Sequence, residues 1–232
     1  MSQLLLVVDT SGKNGSIALA RATSDDTEID VLEVVPLAGG AFSAQLVPEI
    51  AALLERRKCS KTDLGAFAVV SGPGSFTGLR VGLAAIKALA EVLQKPIAAI
   101  SLLEAVAKGK INTKPGRVLA ALDAGRGDVY VGDYEVGAQL HTPARMHSER
   151  LLSREEFVAV AKEMTVVTPD AALADMVRAA GIWVELIEYP DSAAIVRLGW
   201  EHLRRGDTVS PQELEANYIR HSDAEIFSKP AS

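Results

Sequence analysis

Strand, glycine loop and long apolar helix follow one another without a break between Phe67 and Gln94, and this run constrains the fold more than any other part of the chain. Phe67–Val70 is an apolar, strand-like stretch, Ser71–Arg80 reads SGPGSFTGLR, and a helical pattern runs from Leu79 to Gln94. Gly72, Gly74 and Gly78 permit backbone angles and close approaches that a side chain would block, and Pro73 stiffens the turn between the first two. Ser75 or Thr77 is placed to cap the helix, which leaves its first N–H groups and the positive end of its dipole facing the loop, with Arg80 just beyond. Such a corner serves either as a site for phosphate or carboxylate or as a tight turn with a helix cap. It is not a Walker A loop, because no Lys-Ser or Lys-Thr follows a Gly-x-x-x-x-Gly spacing.

The helix itself carries too much apolar surface. Its only polar side chains, Arg80, Lys87, Glu91 and Gln94, fall within an arc of about 60°. One stripe facing a sheet needs a little over ~100° of the circumference, and Gly82, Ala85, Ile86, Leu89, Val92 and Leu93, opposite the charges, supply it. Leu79, Leu83 and Ala90 remain on one flank, and Val81, Ala84 and Ala88 on the other. Either the helix is covered on both sides within its own domain, or it receives a partner helix from another subunit, and the small residues favour the second.

A helix over Ser43–Arg57 shows the same excess. Leu46, Ile50, Leu53 and Leu54 recur at i, i+4, i+7 and i+8, while Ala44, Val47 and Ala51 widen the apolar surface beyond one stripe. Pro48 fits if it lies in the first turn, where its missing N–H costs nothing. Leu46, Ile50, Leu53, Leu79, Leu83 and Ala84 are therefore expected to form a docking face, with the mutated protomer of Ile50→Glu or Leu83→Glu folded but no longer associating.

With 232 residues the chain fits one large domain or two small ones. No uninterrupted apolar run reaches the ~18 residues of a membrane span, and the N-terminus starts as a strand, unlike a signal peptide. The single cysteine, Cys59, excludes an internal disulfide framework and fits a reducing cytoplasm. A net charge of −6 argues against direct, stand-alone binding of nucleic acid.

Along the chain, strands are predicted at Gln3–Asp9, Gly15–Arg21, Glu28–Pro36 and Pro96–Ile100, completing with the run above an α/β unit over residues 1–102. Residues 103–232 open with a helix to Lys108 and then echo the start, with a strand over Gly116–Asp123, the turn Ala-Gly-Arg-Gly, and a hairpin partner over Asp128–Val136. Further helices are predicted at Ser153–Lys162, Asp170–Ala180 and Ala193–Arg205, with a short apolar segment at Met164–Val167. Asp9 and Asp123 thus stand at equivalent turns of two related halves.

Two halves that each open with strand, Asp, turn and strand resemble the actin, hexokinase and Hsp70-like superfamily. The runs VVDTSGKNGSIALA, SGPGSFTGLRVGLAAIKALA and LAALDAGRGDVYVGDY are similar, within it, to the TsaB (YeaZ) family of bacterial accessory proteins for tRNA threonylcarbamoyladenosine. The resemblance covers most of the first ~135 residues and is most specific at the glycine loop. It implies an α/β fold of two related subdomains, mixed sheets with flanking helices, and a degenerate second subdomain. It also implies a cytoplasmic, non-catalytic scaffold that homodimerises when alone and otherwise binds a TsaD-type catalytic subunit. A TsaE-type ATPase and tRNA would be reached only through the complex.

The residues agree with a non-enzyme. TsaD-like relatives place two metal-binding histidines on the first long helix, where this chain has Phe42, Ser43, Ala44, Gln45 and Leu46. His141, His147, His202 and His221 show no i, i+4 pair and read as scattered, solvated side chains, so no metal and no cofactor is expected. Val166–Asp170 lacks the glycine pair with which superfamily kinases cradle adenosine. Asp9, Asp123 and Arg126 are candidate remnants of nucleotide chemistry, the carboxylates equally suited to organising their own turns. The rival classes are an ATP-dependent small-molecule kinase and a metallopeptidase-like enzyme.

Overall fold

The computed structural model describes residues 3–23, 28–109, 115–137 and 144–219. One succession of elements occurs twice. The first half runs β1 (Leu4–Asp9), β2 (Gly15–Ala22), β3 (Ile29–Leu37), α1 (Phe42–Arg56), β4 (Leu64–Gly72), α2 (Phe76–Leu93), β5 (Ile97–Ser101) and α3 (Leu102–Lys108). The second repeats it as β6 (Gly116–Gly125), β7 (Asp128–Val136), β8 (Arg145–Ser153), α4 (Arg154–Ala161), β9 (Thr165–Thr168), α5 (Ala171–Ala179), β10 (Val184–Leu186) and α6 (Ser192–Arg205).

Each half builds a five-stranded mixed sheet, in the order β3-β2-β1-β4-β5 or β10-β9-β6-β7-β8. The central strand of each, β1 or β6, pairs antiparallel with the next strand and parallel with the strand after the first helix. The repeat is an α/β fold of the actin and hexokinase type. Its second copy is shortened, with β9 at 4 residues against 9 in β4 and α5 at 9 against 18 in α2.

Side-chain alternation sends the two faces of the first sheet into different cores. Leu4, Leu6, Val8, Ile17, Leu19, Phe67 and Val69 meet α1 and α2. Ala18, Ala20, Ala66, Ala68 and Ala98 line the opposite face, with Leu5 and Val7, and receive α6. Small residues let that helix approach closely: a Cβ on Gly199 of α6 would stand 2.6 Å from the Cβ of Ala68. The reverse contact is made by α3, whose Leu103 lies over Gly132 of β7, where an added Cβ would come within 3.0 Å. The last helix of each half therefore covers the sheet of the other, and α3 and α6 share one core between the two sheets.

Three sequence expectations are corrected. In α2 the buried positions are Gly78, Leu79, Gly82, Leu83, Ile86 and Ala90, so the sheet-facing stripe lies roughly 60° round the helix from the one expected. Leu46, Ile50 and Leu53 of α1 and Leu79 and Leu83 of α2 are likewise buried inside the protomer, and of the six residues expected at a docking face only Ala84 is exposed. A glutamate at Ile50 or Leu83 would enter the core and so test folding instead of association. Pro48 lies beyond the first turn of α1. It is tolerated because it is exposed, so the Ala44 carbonyl whose helical partner it removes faces water.

Candidate functional site

A cleft of about 590 Å³ opens between the halves. The β1–β2 turn and the glycine loop form one wall, through Ser11, Lys13, Gly74 and Thr77; Asp123, Tyr130, Asp170 and Tyr189 contribute the other. The hairpin turns put the two expected aspartates at matching places. Asp9 Oδ1 accepts from Ser11 N at 2.9 Å and from Ser11 Oγ at 2.6 Å, so the carboxylate does organise its own turn. Asp123 N donates to Asp170 Oδ2 at 2.7 Å, and the Asp123 carboxylate lies 3.9 Å from the Arg154 guanidinium. Arg126 occupies the β6–β7 turn at φ +58° and is not among the cleft-lining residues.

Three carboxylates thus gather at or near a cleft whose lining includes the cation Lys13. Burial pushes the Asp9 carboxyl above its ordinary value, although both Ser11 hydrogen bonds oppose the shift. Burial, with the charges of Asp9 and Asp170, also pushes the Tyr189 phenol up to about 12. A carboxyl that holds its proton more tightly when folded destabilises the fold once ionised: below the unfolded value both states are protonated, and stability falls as pH rises towards the folded value. Asp9→Asn keeps an acceptor for Ser11 and removes the charge. It is expected to have a higher urea midpoint than wild type at pH 7 and the same midpoint near pH 3. A lower midpoint at pH 7 would show that the ionised carboxylate stabilises the turn.

The glycine loop is spent mainly on packing. Ser75 caps α2, its Oγ accepting from Gly78 N at 3.3 Å, while Ser75 N donates to Ser11 O at 2.7 Å. Thr77 lies inside the first turn. Thr10 Oγ1 donates to Gly78 O at 2.7 Å, and added Cβ atoms on Gly74, Gly78 and Gly82 would stand 2.5, 2.1 and 2.4 Å from atoms of Ser11 or Thr10. These glycines let the β1–β2 turn lie directly against the start of α2. Gly72, at φ +136°, makes room for Asn217, whose carbonyl would be 2.8 Å from a Cβ there. The Ser75, Gly78 and Leu79 N–H groups already have protein acceptors, which leaves less of an anion cradle than the motif suggests.

The outward side of the α1–α2 layer is a second candidate surface. Phe76, Arg80, Ala84, Ala88 and Val92 stand at successive i+4 positions, and all five are exposed, Val92 at 74%. On α1 the exposed stripe is Ala44, Val47, Pro48 and Ala51, with Val47 at 63%. Both stripes point away from the first sheet. The excess is visible in the sequence through Ala44, Val47, Ala51, Ala84 and Ala88, whereas the apolar residues that face the sheet differ from those expected.

One histidine also departs from expectation. His202 is largely buried, its Nε2 3.0 Å from Glu104 Oε2 between α6 and α3, and so is not a solvated side chain. His147 lies 3.9 Å from Glu135, while His141 and His221 fall outside the described residues. Among the described residues no group of three or more His, Cys, Asp or Glu side chains could hold a metal ion, and no helix is long and apolar enough to cross a membrane. Asp170 and Tyr189 were not among the expected site residues. The position of Asp170, at the head of the helix equivalent to α2, was the available signal.

Sequence and structure comparisons agree with the fold. The family model described as TsaD, tRNA N6-adenosine threonylcarbamoyltransferase, matches residues 34–194. The tRNA threonylcarbamoyladenosine biosynthesis protein TsaB of Escherichia coli strain K12 is 28% identical, over 95% of this chain and 96% of that protein. TsaB of Bacillus subtilis strain 168 is 36% identical over 56% of this chain and 55% of that protein. Among solved structures, YeaZ from Pseudomonas aeruginosa superposes with a TM-score of 0.70 at 25% identity, covering 91% of this chain and 98% of that one.

Proposed function

Because the chain belongs to the TsaD family, and within it to the TsaB (YeaZ) type, we propose that it serves tRNA threonylcarbamoyladenosine biosynthesis as a non-catalytic subunit docked on a TsaD-type catalytic partner. The observation that carries this reading is the exposed row Phe76–Arg80–Ala84–Ala88–Val92, beside the exposed stripe of α1. An i+4 row is the ridge that packs into the grooves of another helix, and alanines at its centre allow the closest approach there. An apolar helix layer left open on a protomer fits either a second copy of itself or a homologous subunit with the same two helices. The docking face is then the outward flank of α1 and α2, with Ala84 retained from the expected set and the buried leucines acting as its support.

The cleft supports the non-catalytic part. Asp123 and Asp170 line the cleft and Asp9 lies beside it, with Lys13 the cation on the lining, and this surplus of carboxylates disfavours a polyphosphate ligand. A TsaE-type ATPase and tRNA join through the catalytic partner, in keeping with the net charge of −6. The test is to mix the purified chain with the TsaD-type protein of the same organism. Co-elution as a complex, with no threonylcarbamoyl transfer or ATP turnover by this chain alone, is expected. Separate elution at micromolar concentrations, or transfer by the chain alone, would overturn the proposal.

A further inference from the structure

Beyond α6 the chain returns across the first half as a strap, Val209–Ile219, interrupted by a turn at residues 211–213. Val209 N donates to Ile97 O at 2.9 Å at the edge of β5, and Gln212 Nε2 reaches Glu91 Oε2 of α2 at 2.8 Å. Leu214 is buried in the α1–α2 core, and Asn217 N donates to Ser71 O at 2.8 Å. Tyr218 Oη accepts from Arg80 Nε at 2.9 Å, with its ring 5.0 Å from that of Phe76 and the Arg80 guanidinium 3.6 Å above the Phe76 ring. These attachments all run to the first half.

Among the described residues, one hydrogen bond of the strap runs to the second half. The Asn217 side-chain amide donates to Glu149 Oε2 on β8, while Glu149 Oε1 accepts from the Tyr134 hydroxyl of β7 and the Ser101 hydroxyl at the end of β5. Burial, and then the Glu149 charge, hold the Tyr134 phenol protonated far above its ordinary range, so it remains a donor. Glu149 is therefore a half-buried carboxylate held by three neutral donors, one from each sheet and one from the strap. A carboxylate can accept all three at once, and each donor left without it would be stranded in a poorly hydrated seam.

We infer that Glu149 is the latch of the C-terminal strap, a positioning residue that holds Tyr218 and Arg80 at the head of the exposed α2 row. The latch stands on its own contacts; its bearing on partner binding rests on the docking reading above.

The test uses hydrogen exchange of the full-length chain. Asn217→Asp sets carboxylate against carboxylate and is expected to speed exchange at the Val209 and Asn217 amides by ~10-fold or more, while β1 and β4 amides keep their protection. Adding Glu149→Gln in the same chain reverses donor and acceptor, because the new amide donates to the new carboxylate and its oxygen still accepts from Tyr134. Strap protection should then return to within about threefold of wild type. Unchanged exchange in Asn217→Asp, loss that extends to β1 and β4, or a double variant as loose as the single one would each overturn the latch. Binding to the TsaD-type partner is measured on the same proteins and should weaken with Asn217→Asp and recover in the double variant. A released strap with unchanged binding keeps the latch and removes the strap's bearing on partner binding.

Discussion

Gly78→Val is expected to prevent the first half from folding. A Cβ at this position would stand 2.1 Å from the carbonyl oxygen of Thr10. That oxygen belongs to the backbone, and it cannot move aside: β1 is held between β2 and β4, and Thr10 Oγ1 donates to the Gly78 carbonyl. Relief requires the start of α2 to lift from the β1–β2 turn, which would also uncover the packing around Leu79 and Gly82. The cost is several kcal/mol, a large part of the ~5–15 kcal/mol that stabilises an ordinary domain. Gly40→Ala is the matched control, since Gly40 has φ +80° but open space around it, and it should lose only about 1–2 kcal/mol. Urea unfolding followed by circular dichroism compares the two, and a Gly78→Val protein with the wild-type midpoint would contradict the packing described for the loop.

Ala84→Arg and Ala88→Glu should leave the protomer folded and remove association. Both positions are exposed at the centre of the i+4 row, where a partner helix comes closest. A long charged side chain there props the helices apart or is buried without a counter-charge, a penalty of ~3–5 kcal/mol, equivalent to a loss of ~100-fold or more in affinity. Leu83→Glu and Ile50→Glu, one side chain away on the same helices, should instead unfold the chain, because both residues are buried beneath the layer. Sedimentation with and without the TsaD-type partner, paired with circular dichroism, separates the two classes. If the alanine variants bind as wild type does, the row is not the docking ridge.

Much of this arrangement was legible in the sequence because local chemistry agreed with the global fold. The β6–β7 hairpin and the repeated strand, Asp and turn were readable from turn residues and apolar runs, and α1 and α2 from their 3.6-residue period. The rotation of α2 was hidden for a physical reason. Arg80 and Glu91 look like a solvent face and are exposed, yet they also hold Tyr218 and Gln212 of the strap, and the open row runs on from Arg80 through Ala84, Ala88 and Val92. Nothing local announces that a segment more than a hundred residues later will hydrogen-bond to a helix's charged side. Strand β8 escaped notice because it is a sheet edge, mostly exposed or half-buried, and lacks a clean alternation. Strand β10 is only 3 residues long. At the candidate sites, Asp9 and Asp123 followed from their turns, whereas Glu149 reads as one more surface acid until β7, the end of β5 and the strap converge on it.

The exchange of α3 and α6 between the halves has a consequence for how the chain is made. All strands of the first sheet have been synthesised once Ser101 leaves the ribosome, but the helix that covers their alanine face begins only at Ser192. Until then Ala18, Ala20, Ala66 and Ala68 lie open to water, and the nascent first half lacks one side of its core. Domains commonly fold one after another during translation, N-terminal first. Here the first half completes itself with the last helix of the second, so the two become stable together, and a ribosome that stalls before α6 leaves a nascent chain with one face of its first sheet bare.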